Sequence, residues 1–585
     1  MTKNIIRIGT RGSKLALYQA YRVKDELQQH FPDITFSIEI IKTKGDKILD
    51  VALSKIGDKG LFTKEIEEAL FNHEIDLAVH SLKDLPTRFP EGAKLGAVLK
   101  RGEVRDALVS SDGRKIENLT SNDVIATSSL RRKAQLLRIN KDFKIVEIRG
   151  NVNTRIRKMQ DGYCNVMVMS AAGLERLEMN EFISEYLEPE IMIPACSQGA
   201  IAIEIRENDT TIEGIVSTIN DKESLIATEA ERAFLRTLEG RCQIHVGSYS
   251  KIEGNRFKIT GFISSIDGTE FIKDSAEGDI NQATYLSIKL AKNLYDRGGE
   301  EILKAIRDEN LQNPQAELLL KDKVIISTRA IEAGDTLPDL LKAQGAKLLS
   351  LPMIKTIPSV LDDKMLKVLD DLAIYDWIFF TSKNGVANFF KHLIDANGNT
   401  ELPKSVKIAV IGYKTALELD YYGYAPNFIS EGNTAVDFLD QFHEVYKPKN
   451  LKIILALGNL ADNTLSDSLS VKNKVQRLDV YEIIKPEQAD TEIINLIKKD
   501  IYDLIIFTSP STFCHFCSFY DMKLIGQLKM ASIGSTTTKA INEAGFEPVI
   551  TANKSNAEGL RDAIIEYYKK DFTNLDEIDT NSYEI

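Results

Sequence analysis

Val124–Ile139 reads VIATSSLRRKAQLLRI: a short β-branched run ending in two serines, then an amphipathic stretch that opens on paired arginines. The first part has the composition of a strand and the second the apolar spacing of a helix. The same unit recurs. IVEIRG (145–150) leads into NVNTRIRKMQ (151–160), and NVMVMSAAG (165–173) into LERL (174–177). IIRIGT (5–10) leads through RGS into KLALYQAYRVKDELQQ (14–29), and IDLAVHS (75–81) runs into the proline-broken LKDLPTRFP (82–90). Strands alternating with helices almost throughout define α/β domains with mainly parallel sheets.

At 585 residues the chain exceeds what one hydrophobic core holds. It has no apolar run near the roughly 20 residues of a membrane helix, and its start lacks the basic and apolar regions of a secretory signal. Five scattered cysteines make no disulfide framework, so a cytoplasmic protein is expected. A net charge of −12 argues against nucleic-acid binding. The basic residues nevertheless gather at turns, as in Arg131-Arg132-Lys133 and Arg149 through Lys158, which suits a small polyanion.

Four strand-to-helix turns carry these groups: Thr10-Arg11-Gly12-Ser13, Ser128 to Arg132, Arg149-Gly150-Asn151, and Gly173 followed by Arg176. Helix N-termini offer unpaired N–H groups and a positive dipole, and arginine adds a fork matching a carboxylate. Singly, each arginine reads as a solvated surface residue; together they suggest a cleft at the carboxyl ends of the strands. Asp84, in HSLKDLP, reads either as a turn residue capping an amide or as a cleft carboxylate that moves a proton or steadies a cation. Cys242, in LEGRCQ, reads either as a small buried hydrophobe or, between glycines and beside Arg241, as a loop thiol. No ligand set for a metal is apparent.

In order, TRGSKLAL (10–17), TKGD (43–46), GDKGLFTKE (57–65), HSLKDLP (80–86), TSSLRRKAQL (127–136), RGNVNTR (149–155), AAGLERL (171–177) and LEGRCQ (238–243) before VGSY resemble the signatures of hydroxymethylbilane synthase, or porphobilinogen deaminase, over about residues 5 to 305. The resemblance implies two periplasmic-binding-protein-like α/β domains, 1–99 with a return segment 199–218 and 100–198, and a smaller α/β domain, 219–307. It implies a dipyrromethane cofactor in thioether linkage to Cys242, with Lys83, Ser129, Arg131, Arg132 and Arg155 as its binding positions. Arg11, Ser13, Ser81, Arg149 and Arg176 match positions for the carboxylates of porphobilinogen, and Asp84 matches the catalytic carboxylate. The sequence departs from the pattern at Arg241, usually small, at His245, often proline, and at Cys196-Ser197, usually Val-Gly. Cys196 reads as a packed hydrophobe.

Beyond a polar segment at Asp308–Glu317, WIFFTSKNGVANFF (377–390) resembles LIIFTSPSTFCHFC (504–517), and IAVIGYKTALELDYYGYAP (408–426) resembles MASIGSTTTKAINEAGFEP (530–548). Two motifs in one order, about 125 residues apart, imply two similar α/β units. With VIISTRA (324–330) and VQRLDVYEIIKP (475–486), they resemble uroporphyrinogen-III synthase over about residues 322 to 568. That resemblance implies two flavodoxin-like α/β domains, one discontinuous (321–355 and 485–570) and one continuous (356–484); composition reads 308–320 as a linker and 571–585 as an acidic, frayed tail. Lys323–Arg329 would return to the C-terminal unit. Candidate binding hydroxyls are Thr328, Thr381, Ser382, Thr415, Thr508, Ser509, Ser511 and Ser535 through Thr538, with Thr536 among them; the alternative for each is N-capping. Tyr481 matches the family's recurrent tyrosine and would help expel the hydroxyl of the linear bilane. Cys514 and Cys517 read as packing residues.

The two resemblances together imply a monomeric, cytoplasmic, bifunctional enzyme of haem biosynthesis, a transferase and a lyase. It would take porphobilinogen to hydroxymethylbilane and on to uroporphyrinogen III, without metal, nucleic acid or membrane. The alternatives are a solute receptor, and a deaminase carrying a regulatory or docking module.

Overall fold

Alternating Ile and Val in IIRIGT and LAVHS put Ile6, Ile8, Leu77 and Val79 on buried faces of neighbouring strands, against Ala20, Val23 and Leu27 of the helix Lys14–His30. That spacing of three and four residues is one apolar helix stripe. The structure, a computed structural model, describes residues 5–43, 63–239, 246–311, 318–331, 336–360, 362–430, 434–520 and 528–579. It is mixed α/β with several sheets, in two units, Met1–Gln312 and Asn313–Ile585.

The first unit holds two five-stranded sheets of one plan. Thr35–Ile40, Ile5–Thr10 and Leu77–Ser81 are parallel neighbours, followed by Ile201–Arg206 and the edge strand Ala93–Val98. Lys144–Val146, Val124–Ala126 and Val166–Ser170 repeat the parallel trio, followed by Asp106–Ser110 and Glu185–Leu187. The fourth strand of each sheet runs antiparallel to both neighbours, so the sheets are less uniformly parallel than the alternation suggested. A parallel pair needs a crossover. Ile201–Arg206 and Asp106–Ser110 instead begin where the chain crosses between the sheets. There Leu99 N–H donates to Ile201 O, and Gly102 N–H to Gly199 O, both at 3.1 Å.

The third body departs further from a parallel arrangement. Val246–Glu253, Arg256–Ser264 and Phe271–Asp279 form an antiparallel meander. It packs through Phe257, Ile259 and Ile263 on Phe234 and Leu238 of Lys222–Glu239 and on Leu290 and Leu294 of Ala283–Leu294.

Among the described residues the second unit has two sheets. One orders Lys347–Ser350, Val324–Ser327, Leu504–Phe507, Met530–Ser532 and Ile550–Thr551, all parallel. The other orders Lys355–Pro358, Lys474–Ile484, Lys452–Gly458, Trp377–Phe380, Lys407–Ile411 and Phe428–Ser430. Only its edge pair, Lys355–Pro358 with Tyr481–Ile484, is antiparallel. The repeated FTS elements occupy equivalent turns: Ser382 and Ser509 each cap the following helix, accepting from Gly385 N at 3.0 Å and Thr512 N at 3.3 Å.

Three local expectations are corrected. Asp308–Leu311 is the last turn of the helix Glu300–Leu311 rather than linker. The helix Ala557–Asp579 runs past Asp571, propagated from a segment whose Leu560, Ile564 and Tyr568 are buried. Cys514 is exposed and Cys517 partly so, because Phe513 and Phe516 take the buried face of their helix.

Candidate functional site

The turn Leu82–Asp84 leaves the end of the strand Leu77–Ser81 with Lys83 and Asp84 accessible and Leu82 buried beneath them. It is held from several sides. Leu82 N–H donates to Ala200 O at 3.1 Å. Arg232, buried in the helix Lys222–Glu239, donates to Pro86 O at 2.7 Å, and Arg236, one turn on, to Thr87 O at 3.1 Å. The helix that fixes the backbone after Asp84 therefore also leads into the Cys242 segment, which lies outside the described residues, as do TKGD beyond Thr43 and most of GDKGLFTKE.

Lys83 Nζ donates to Gln198 Oε1 at 3.3 Å, and Gln198 Nε2 donates to Asp106 Oδ1 at 2.9 Å. Asp106 is fully buried and also accepts from Arg131 Nη2 and Arg132 Nη2, each at 2.7 Å. Burial alone would raise the Asp106 carboxyl, but the two guanidinium groups outweigh it and hold it well below the usual carboxylate range. Although the Lys83 side chain is accessible, desolvation by the protein packed around its ammonium pushes it down to about 8, with Arg132 and Arg131 opposing its charge and Asp84 and Asp106 favouring it. Arg155 is pushed down to about 10 by burial and by the like charges of Arg132 and Arg149. Its Nε donates to Gly150 O at 2.8 Å, while Lys158 Nζ donates to Arg149 O at 3.2 Å.

Lys83, Asp84, Arg131, Arg132, Arg149 and Arg155 thus share one electrostatic neighbourhood in which cations outnumber anions. Arg131 and Arg132 also have partners within the fold. Each spends its fork on Asp106 and on a carbonyl, Ile193 O for Arg131 and Val168 O, at 3.1 Å, for Arg132. Arg132 Nε is buried and has no hydrogen-bond partner among the described residues. Asp106 and Gln198 escaped sequence reading because a strand-initial aspartate and a loop glutamine carry no motif. Removing one partner of a buried pair costs about 3–5 kcal/mol. Asp106→Ala should accordingly lower the urea midpoint by more than Arg155→Ala does; equal midpoints would make the Asp106 pairs unimportant to the fold.

The serines mostly cap. Ser13 accepts from Ala16 N at 3.2 Å and Ser129 from Arg132 N at 3.4 Å, while Ser81 accepts from Gln19 Nε2 at 2.7 Å. The caps at Ser13 and Ser129 each satisfy one N–H of the first turn that follows. Arg176 donates to Gly199 O at 2.5 Å, where the two sheets connect. A methyl group on Gly173 would come within 3.9 Å of both Leu15 and Val152, so the turns bearing Arg11, Arg149 and Arg176 adjoin. Cys196 is buried with Sγ 3.1 Å from Ser248 Oγ.

A tetracarboxylate dipyrromethane fits this cluster. Its carboxylates would offset the like charges of Arg132 and Arg149 around Arg155. Gly247, five residues after Cys242, packs so closely that a Cβ there would lie 2.6 Å from Pro194 O and 3.0 Å from Arg131 Cδ. The strand leaving the cysteine segment therefore starts against the arginines.

In the second unit, Tyr481 is buried, its hydroxyl 3.2 Å from Ser382 Oγ. Thr381 flanks Ser382, and Thr415 is buried in the first turn of Tyr413–Tyr421. Thr328 does not offer its hydroxyl: it is fully buried and donates to Ile506 O at 2.7 Å, tying two strands. Ser509 Oγ lies 3.0 Å from Ser511 Oγ beside Thr508, and Thr536 is exposed in the first turn of Ser535–Glu543. Thr538 is engaged with Ser532 at 2.6 Å and Thr551 at 2.9 Å.

The mixed α/β fold carries a cluster of linked cations suited to a ligand with several carboxylates. Residues 6–214 match the family model of the porphobilinogen deaminase dipyromethane cofactor binding domain, residues 225–296 that of the porphobilinogen deaminase C-terminal domain, and residues 335–562 that of uroporphyrinogen-III synthase HemD. Porphobilinogen deaminase of Desulforamulus reducens is 47% identical over 305 residues, 52% of this chain and 99% of that protein. That of Geobacter metallireducens is 45% identical over 306 residues, 52% and 96%. A uroporphyrinogen III synthase mutant from Thermus thermophilus aligns with 42% of this chain and 99% of its own, at 16% identity and a TM-score of 0.30. The chain belongs to the porphobilinogen deaminase family and carries a uroporphyrinogen-III synthase region behind it in one polypeptide. Among the described residues no helix is long and apolar enough to cross a membrane.

Proposed function

We propose that this chain is a bifunctional enzyme of haem biosynthesis. Its first unit deaminates and condenses four porphobilinogens into hydroxymethylbilane, and its second closes that product, with the last ring inverted, to uroporphyrinogen III. The linked cations Lys83, Arg132, Arg149 and Arg155, with Asp84 beside Lys83, carry the first half of the reading. Each pyrrole brings two carboxylates, so a growing chain needs fixed cations, and the folded protein holds them before ligand arrives.

Cys242 anchors the dipyrromethane through a thioether; when bound, that group supplies the free pyrrole α-carbon to which each unit is joined. Lys83, Ser129, Arg131, Arg132 and Arg155 lie around it, the two paired arginines chiefly by shaping the wall. Arg11, Ser13, Ser81, Arg149 and Arg176 take the carboxylates of incoming porphobilinogen. Asp84 accepts from the pyrrole N–H and faces the positive charge that develops as ammonia leaves. The first two domains resemble periplasmic binding proteins in their paired sheets, and the second unit's sheets are flavodoxin-like. Tyr481, with Thr381, Ser382, Thr415, Thr508, Ser509 and Thr536 binding carboxylates, donates a proton to the departing hydroxyl of hydroxymethylbilane. We place the protein in the cytoplasm, as a monomer.

The test is the isomer formed from porphobilinogen. Uncatalysed closure of hydroxymethylbilane gives the type I ring, so the intact chain should give mainly type III, and a chain ending at Leu311 mainly type I at a similar rate of porphobilinogen consumption. The shorter chain is reasonable as a folded protein, because the Desulforamulus relative is matched over 99% of its length by 305 residues. An unchanged isomer ratio would leave the second unit a regulatory or docking module.

A further inference from the structure

Tyr481 sits at an irregularity in its strand. Lys452–Gly458 pairs residue for residue with Lys474–Ile484 as far as Leu457 with Asp479, and then Gly458 faces Tyr481, leaving Val480 as an extra residue. Such bulges re-aim the side chain beside them. Here the ring turns over Gly458, where a Cβ would lie 2.5 Å from Tyr481 Cζ. Bulging also frees the Val480 carbonyl from the ladder with Lys452–Gly458, and two groups outside that ladder take it. Ser359 N–H donates to it at 3.3 Å, and His392 Nε2 lies 2.8 Å from it.

His392 is buried on the helix Lys383–Asn397. A carbonyl oxygen can only accept, so His392 Nε2 carries the proton donated to Val480 O, while Nδ1 is buried with no hydrogen-bond partner among the described residues. The N-cap of the same helix is Ser382, whose Oγ lies 3.2 Å from Tyr481 Oη. One helix therefore holds the tyrosine at both ends, by the hydroxyl through Ser382 and by the preceding peptide through His392.

We propose that His392 is a positioning residue for ring closure: by holding the Val480 carbonyl in the bulge, it keeps the Tyr481 hydroxyl aimed at the leaving hydroxyl of hydroxymethylbilane. The inference rests on the role given to Tyr481 above. A hydrogen bond that only stabilised the fold would change thermal stability and leave catalysis per folded molecule alone. One that positions Tyr481 acts on kcat through it.

The experiment uses the full chain with hydroxymethylbilane, comparing wild type with His392→Leu, His392→Gln, Tyr481→Phe and the double variant His392→Leu/Tyr481→Phe. The glutamine amide can reach Val480 O as the imidazole Nε2 does; leucine cannot. His392→Leu should lose about 10-fold in kcat with KM nearly unchanged and release more type I product, while His392→Gln recovers most of the rate. The double variant should be no slower than Tyr481→Phe alone, since a misaimed side chain without its hydroxyl has nothing further to lose. Full additivity, equal damage from leucine and glutamine, or a wild-type rate in His392→Leu beside an impaired Tyr481→Phe would each overturn the inference while sparing the role of Tyr481. An unimpaired Tyr481→Phe would remove that role and this inference with it.

Discussion

Asp84→Ala is expected to retain the covalently bound cofactor, with its mass increment intact, and to lose about 1,000-fold or more in turnover of porphobilinogen. The size follows from what the carboxylate faces. A cation developing beside Lys83 meets the opposing charges of Arg131 and Arg132, and Asp84 is an accessible carboxylate there, whereas Asp106 is buried and bound to two guanidinium groups. Water admitted by alanine would have to reorient at each condensation. The carboxylate is already placed, because the backbone after it is held by Arg232 and Arg236. Asp84→Glu keeps the charge but moves it by one methylene, and an intermediate rate is expected. Quench-flow with mass spectrometry separates the outcomes. Slow addition of pyrrole units to loaded enzyme supports the assignment, and normal steady-state turnover in Asp84→Ala would remove it.

Cys242→Ser should have the larger effect on the state of the protein itself. Wild-type protein should exceed its sequence mass by one dipyrromethane, and Cys242→Ser should lack the increment and all deaminase activity. The alternative anchors are poor. Cys164 and Cys196 are buried, and burial pushes the Cys164 thiol up to about 11, away from the thiolate that reacts. Cys514 and Cys517 belong to the other unit. Arg241, where the family usually has a small residue, gives a control: Arg241→Ala should still load. An increment that survives Cys242→Ser would move the anchor elsewhere.

Strand and helix periods were readable along most of the chain, because each element buries one face and the pattern of that face is local. The pairing of the strands was not. Nothing in IAIEIR tells that it lies antiparallel between Leu77–Ser81 and Ala93–Val98, since a doubly buried strand is apolar throughout in either direction. Motifs pointed to the cationic residues but not to their partners within the fold. Arg131 and Arg132 look alike in sequence to ligand-binding arginines, and only the buried partner Asp106, outside any motif, shows how their forks are used. Thr328 shows the same limit, for a threonine after a strand reads identically whether its hydroxyl meets ligand or ties a neighbouring carbonyl. His392 was invisible, because its meaning depends on a bulge in a strand far along the chain.

The strand Val324–Ser327 has a history as well as a place. Its partner Leu504–Phe507 lies 178 residues further along at the contact between Thr328 and Ile506. At about 5–20 residues per second of synthesis, a nascent chain waits roughly 9–36 s for that partner. During that time the strand has Lys347–Ser350 on one side and an open, apolar edge on the other. The sheet built from residues 355–484 can close in that interval, and the first unit has finished earlier still. Vectorial synthesis therefore completes this protein from its beginning and its middle, and leaves the strand that follows the first unit among the last to be sealed.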